Sequence, residues 1–168
     1  MSDLTMSDTQ TIQTQAKHPM FFLMNNVIQN YAWGSTTSVN QLFGIENPTG
    51  EPQAEVWMGA HPNGCSLVMV NGKETKLSSL ISQDMNAFLS EEVANRFGEL
   101  PYLFKVLAAE KALSIQVHPN KQQAQLGFEL EEKQRIPLTA ANRNYKDPNH
   151  KPELVYALTE YQAMNGFR

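Results

Sequence analysis

Two stretches of the sequence hold residue types that could bind a metal. "LSIQVHPN", residues 113–120, puts Gln116 and His118 two apart inside an apolar run. "YKDPNHKPELVYAL", residues 145–158, puts Lys151 and Glu153 two apart at the mouth of another. In a strand, residues i and i+2 point to the same face. Gln116 and His118 then share a face with Ser114, while Ile115 and Val117 look the other way. Lys151 and Glu153 share theirs with Val155 and Ala157. Pro119 and Pro152 favour an extended backbone and remove competing donors. If both polar faces look inward, they form a small polar pocket among apolar strands. One imidazole, one carboxylate and one amide oxygen make a three-ligand set for zinc, with a fourth position for another ligand or water.

Plainer readings exist for each residue. A histidine at a strand end is commonly a hydrogen-bonded turn residue, and glutamine is an unusual zinc ligand. Glu153 beside Lys151 also fits a surface ion pair, worth at most about 1 kcal/mol. His61 in "GAHPNG" and His150 in "PNHKPE" fall in loops, where exposure is the default. Lys105 in "LFKVL" shares a face with Leu103 and Leu107, so its ammonium must reach an anion or solvent. Trp33 and Trp57 fit a core more readily than a pocket wall. Spacing alone leaves the metal and the bland readings both open.

The elements around these residues are short. "FFLMNNVIQNYAWG" predicts a strand leading to a turn at Gly34, and "SVNQLFG" a helical turn or two ended by Gly44. "NPTGEPQ" is a loop by its proline and glycine. "AEVWMGAHPNG" alternates up to a Pro-Asn-Gly turn, and "CSLVMVNGKETKL" is a strand with an Asn-Gly hairpin signal. Over residues 77–98 the apolar spacing shifts to three and four, which predicts two short helices ended by Gly98. "LPYLFKVLAAEKALSIQVHP" reads as two strands joined around Ala109–Lys111, and "ELVYAL" as a further strand. Between them, "NKQQAQLGFELEEKQ" predicts a helix capped by Asn120, with glutamates near its C-terminal end that oppose the helix dipole. A long loop with three prolines follows Arg135. Many short strands with a few helices predict a mainly β protein, a β-sandwich or jelly-roll. No glycine-rich phosphate loop follows a strand, which argues against a nucleotide fold.

Bulk properties bound the function. The 168 residues, 41% hydrophobic and 18% charged, suffice for one domain with a real core. A net charge of −4 without basic clusters does not indicate a nucleic-acid or anionic-membrane partner. Cys65 is the single cysteine, so no intrachain disulfide forms, any zinc is held by N and O donors, and a reducing compartment is expected. Residues 1–19 are Thr/Gln-rich without a signal-peptide pattern and are expected to be a flexible polar tail. "MFFLM" is far shorter than the roughly 20 apolar residues of a membrane span. The protein is expected to be cytoplasmic.

"QNYAWGS", "EVWMGAHPNG", "LPYLFKVLAAEKALSIQVHPNK" and "NYKDPNHKPELVYALT" closely resemble the type I mannose-6-phosphate isomerases. The resemblance runs from about Val27 to Arg168, and the pairing of "SIQVHP" with "NHKPE" is its most specific part. It implies a zinc enzyme on a cupin-like jelly-roll with an inserted helical domain, interconverting mannose 6-phosphate and fructose 6-phosphate. Its metal ligands fall on Gln116, His118 and Glu153. Lys151 and Lys105 match lysines associated with the substrate site, and His150 a histidine implicated in ring opening or proton handling. Trp33 and Glu55 match pocket residues. The family's fourth ligand, a histidine, and a substrate-contacting arginine lie beyond the insertion. Residues 20–168 are therefore expected to be the N-terminal part of the catalytic domain, inactive as an isomerase by themselves. The alternative is a non-catalytic cupin-like module that binds a metal or a sugar phosphate.

Overall fold

The computed structural model describes residues 21–164 and 166. The polar tail expected over residues 1–19 lies outside them. The chain divides into two compact units, Met1–Leu113 and Ser114–Arg168.

The described part of the first unit is built on antiparallel sheets, as the short alternating segments predict. Its strands are β1 (Met24–Asn25), β2 (Val27–Gln29), β3 (Glu55–Met58), β4 (Leu67–Val70), β5 (Lys73–Lys76) and β6 (Phe104–Leu107). They form two three-stranded sheets, ordered β1-β4-β5 and β2-β3-β6. The single strand expected after Phe21 is thus two strands, and Asn26 is where the chain passes from one sheet to the other. Its side-chain oxygen accepts from Ser66 Oγ at 3.0 Å, and that hydroxyl in turn accepts from Gly59 N–H at 3.1 Å. The β4–β5 hairpin turns on Asn71 and Gly72, both with positive φ (50° and 77°). Such a turn matches the right-handed twist of the strands it joins.

Alternation along β3 decides what each face of its sheet carries. Val56 pairs in register with Ile28 on one side and Val106 on the other. These side chains pack with Val39 of helix α1 (Ser38–Phe43) and Ala108 into the unit's apolar cluster. Glu55 and Trp57, one residue either way, necessarily face opposite. Helix α1 begins over buried Ser35, whose Oγ accepts from Ser38 N–H at 3.3 Å, and ends at left-handed Gly44.

Residues 77–98 form three helices rather than the expected two: α2 (Leu77–Gln83), α3 (Met85–Leu89) and α4 (Glu91–Phe97). Asp84 and Ser90 each use a side-chain oxygen to cap the next helix, accepting from Ala87 and Val93 N–H. Each cap breaks a pattern that apolar spacing alone would continue.

In the second unit, α5 (Lys121–Lys133) has the expected Asn120 cap, completed by Gln123 into a reciprocal capping box. The strands expected at 113–118 and 153–158 do not form ladders among the described residues. Val117 and Leu154 are 91% and 97% exposed. A strand exists only by pairing, so alternation supplies the potential and a partner must supply the hydrogen bonds.

One close approach in the first unit leaves no room for a side chain. A Cβ added at Gly34 falls 2.5 Å from the Ala54 Cα. Gly34→Ala should destabilise the protein by about 1–3 kcal/mol. A lower urea midpoint at unchanged slope is the expected result.

Candidate active site and family membership

Two clusters of candidate side chains form, one in each unit. In the first unit, Trp57 stands opposite Lys105 in the β3–β6 register. Lys105 Nζ lies 4.7 Å from the centre of the Trp57 ring and 3.4 Å from Glu55 Oε2. Trp57 Nε1 donates to the same carboxylate oxygen. The lysine set on an apolar strand therefore has both an anion and an aromatic face. Tyr31 stacks on half-buried Trp33 at 5.8 Å. Burial, and then the negative charge of Glu55, pushes the Tyr31 phenol above its ordinary range. His61 packs its edge on Trp57 at 5.1 Å, and its Nδ1 accepts from Asn63 N–H at 3.1 Å, so it is half-buried in its own turn.

In the second unit, His118 Nε2 lies 3.9 Å from Glu153 Oε1. A groove of about 610 Å³ opens here, lined among others by His118, Gln123, Tyr145, Asp147 and Lys151. Lys151 Nζ sits 4.0 Å from Asp147 Oδ2, one helical-type spacing away in sequence but on an irregular loop. Gln116 and His150 are exposed, adjacent in sequence to groove-lining Val117 and Lys151. The structure thus brings His118 and Glu153 face to face. No group of three His, Cys, Asp or Glu side chains gathers among the described residues. A third protein ligand here would have to be of another type, and the Gln116 carboxamide is one.

Sequence reasoning missed what holds these segments. Glu131 on α5 is buried, and its Oε1 accepts from Asn144 N–H (3.1 Å) and Asn144 Nδ2 (3.2 Å). Its Oε2 accepts from Tyr145 N–H at 2.8 Å and faces Arg143 Nε at 3.0 Å. Arg143, also buried, donates to the carbonyls of Ile136 and Tyr145 and to Glu132 Oε1. Burial alone would raise the Glu131 pKa. The backbone donors of Tyr145 and Asn144, the Asn144 amide and the Arg143 charge outweigh it, and the carboxyl lies below its ordinary value. The run "FELEEK" gave no sign that one of its glutamates is buried; only a buried arginine downstream reveals it.

Comparison with known proteins decides the family. The family model described as phosphomannose isomerase type I, catalytic domain, matches residues 21–168. This chain belongs to that family. Among the type I phosphomannose isomerases, it is 58% identical over 144 residues to the mannose-6-phosphate isomerase of Salmonella typhimurium. That match covers 85% of this chain and 37% of the relative. The Escherichia coli protein of the same name is 57% identical, with the same coverage. A crystal structure of the Salmonella typhimurium isomerase bound to its substrate, fructose 6-phosphate, and to zinc superposes with a TM-score of 0.72 at 55% identity. It shares 77% of this chain and 33% of its own. The chain therefore spans just over a third of the length of the curated relatives it matches. No helix among the described residues is long and apolar enough to cross a membrane.

The depressed Glu131 pKa has a signed consequence. A carboxyl whose folded pKa is lowered contributes stability that is present above its unfolded value and lost as pH falls through the folded one. Hydrogen exchange at the Asn144 and Tyr145 amides, corrected for intrinsic rate, should accelerate as pH falls from about 6 to about 3. In Glu131→Gln that acid-side change should vanish. Equal acid sensitivity in both proteins would remove Glu131 as its source.

Proposed function

We propose that this chain carries the metal-holding and part of the substrate-binding residues of a zinc-dependent mannose-6-phosphate isomerase. The reaction interconverts mannose 6-phosphate and fructose 6-phosphate through an enediol. The observation that carries the proposal is the His118–Glu153 pair, two chemically suitable donors brought within 3.9 Å from separate segments. We assign the metal to Gln116, His118 and Glu153, and residues 20–168 to the N-terminal part of a cupin-like catalytic domain.

The donors fit the ion. Two N or O ligands about 2.1 Å from one tetrahedral zinc stand about 3.4 Å apart. The His118–Glu153 separation exceeds this by only about half an ångström, within reach of small side-chain rotations. The N/O set accepts several divalent ions by chemistry alone; zinc is the metal named in the substrate-bound relative. When bound, zinc polarises the sugar's carbonyl and hydroxyl oxygens.

The chain's own residues supply the remaining needs of the reaction. Aldose–ketose isomerisation moves a proton between neighbouring carbons and builds negative charge on an oxygen in between. The Lys151 ammonium lines the same groove as His118, and we assign it to stabilising that charge. His150, its neighbour, is assigned to ring opening or proton handling. In the first unit, Lys105 is held in place by Glu55 and the Trp57 face. We assign Lys105, Glu55 and Trp33 to substrate contact.

Two substitutions test the assignment. In a polypeptide of the relatives' full length, His118→Ala should remove stoichiometric zinc, because a site with few protein ligands depends on each. Metal analysis still finding one equivalent would strike His118 from the set. In a polypeptide of the relatives' full length, Lys151→Met should keep the metal and lower kcat by about a hundredfold or more. Intact turnover with a raised KM would make Lys151 a binding residue instead.

A further inference from the structure

The chain after α5 folds back along the helix that precedes it. At the helix's C-terminal end, Arg135 adopts φ 57° and two backbone bonds turn the chain: Arg135 N–H to Glu132 O and Ile136 N–H to Glu131 O. This is a Schellman turn with arginine where glycine is usual. The returning strand of chain is then fastened at three levels. Glu131 receives Arg143, Asn144 and Tyr145 at the C-terminal level. Midway, the Tyr145 ring lies against Gly127, where an added Cβ would fall 2.4 Å from the ring. At the N-terminal level, Lys121 Nζ donates to Pro148 O at 3.2 Å and to Asn149 Oδ1 at 2.7 Å. His118 stands just before the helix, and Glu153 just after the returning segment.

We propose that Glu131 is a positioning residue: its clasp on Arg143, Asn144 and Tyr145 sets the return of the chain along α5 and so brings Glu153 to His118. Neither His118 nor Glu153 lies in a ladder or helix, so no backbone pairing within their own segments fixes the separation. What fixes it is the helix between them and the fastenings along it. The carboxylate is suited to the task because three hydrogen-bond donors and the Arg143 charge converge on its two oxygens, all from three consecutive residues. The Arg143 guanidinium braces the same turn by donating to the carbonyls of Ile136 and Tyr145 at 2.6 Å each. It also stacks 5.0 Å from the Phe128 ring. Glu131 is assigned no contact with metal or sugar. The inference rests on His118 and Glu153 being a functional pair, as the proposed zinc site requires.

The experiment reads the separation without metal. In a Cys65→Ser background, nitroxide labels on His118→Cys and Glu153→Cys should show strong dipolar broadening. Glu131→Ala should lose most of it while far-UV circular dichroism keeps its helical signal. Glu131→Gln, which retains one acceptor oxygen, should fall between. In the unlabelled chain, the same Glu131→Ala change should weaken zinc binding on the order of tenfold in a chelator competition. Folded Glu131→Ala with undiminished broadening would overturn the proposal. If Glu131→Ala loses its helical signal, the more conservative Glu131→Gln decides: reduced broadening in the folded variant supports positioning, while unchanged broadening overturns it. If broadening depends on Glu131 but no variant binds zinc, the positioning role stands and the metal reading falls.

Discussion

A carboxylate removed from water must be met by donors or opposite charge, and Glu131 meets three donors from Asn144 and Tyr145 and the Arg143 guanidinium. That requirement organises the second unit. It ties the end of α5 to the middle of a long irregular loop, and the loop carries every second-unit candidate after the helix: His150, Lys151 and Glu153. Irregular backbone has no ladder to define it, so its shape comes from side-chain to main-chain bonds of this kind. Asp147 adds a local one, accepting from Asn149 N–H at 2.9 Å.

The first unit obeys a different constraint, the two-residue period of β3. Because Val56 packs inward with Ile28, Val106 and Val39, Glu55 and Trp57 must face the other way. Antiparallel register then sets Lys105 opposite Trp57. An ammonium between a carboxylate and an indole face is restrained by both. The apolar cluster and the polar cluster are two sides of one alternation.

Much of the local structure was legible in the sequence. Asn120 announces α5, Asn71-Gly72 the hairpin, and Gly44 and Gly98 the ends of α1 and α4, because caps and turns are decided by a few neighbouring residues. The misses have the same logic in reverse. Asp84 and Ser90 cut the helical pattern into shorter pieces than expected, since a cap competes with the apolar spacing that suggested continuity. The alternating runs at 113–118 and 153–158 carry strand-like composition without ladders, since pairing is a property of two segments and not of one. The expected helix-dipole conflict at the end of α5 is relieved at Glu131, which turns its charge to the loop.

The sequence by itself determined the chemistry on offer: a histidine, a glutamate and a glutamine of metal-binding type, two lysines near them in motif, and the family to which those motifs belong. Residue identity and short spacing are enough for that, because ligand type and motif are written in consecutive letters. Tertiary structure decided which of these groups meet. It brought His118 to Glu153 across a helix and a loop, seated Lys105 between Glu55 and Trp57, and buried Glu131 with Arg143. Each of those pairings joins residues distant along the chain, and such contacts depend on strand register and on the return path of the backbone. No local pattern encodes either.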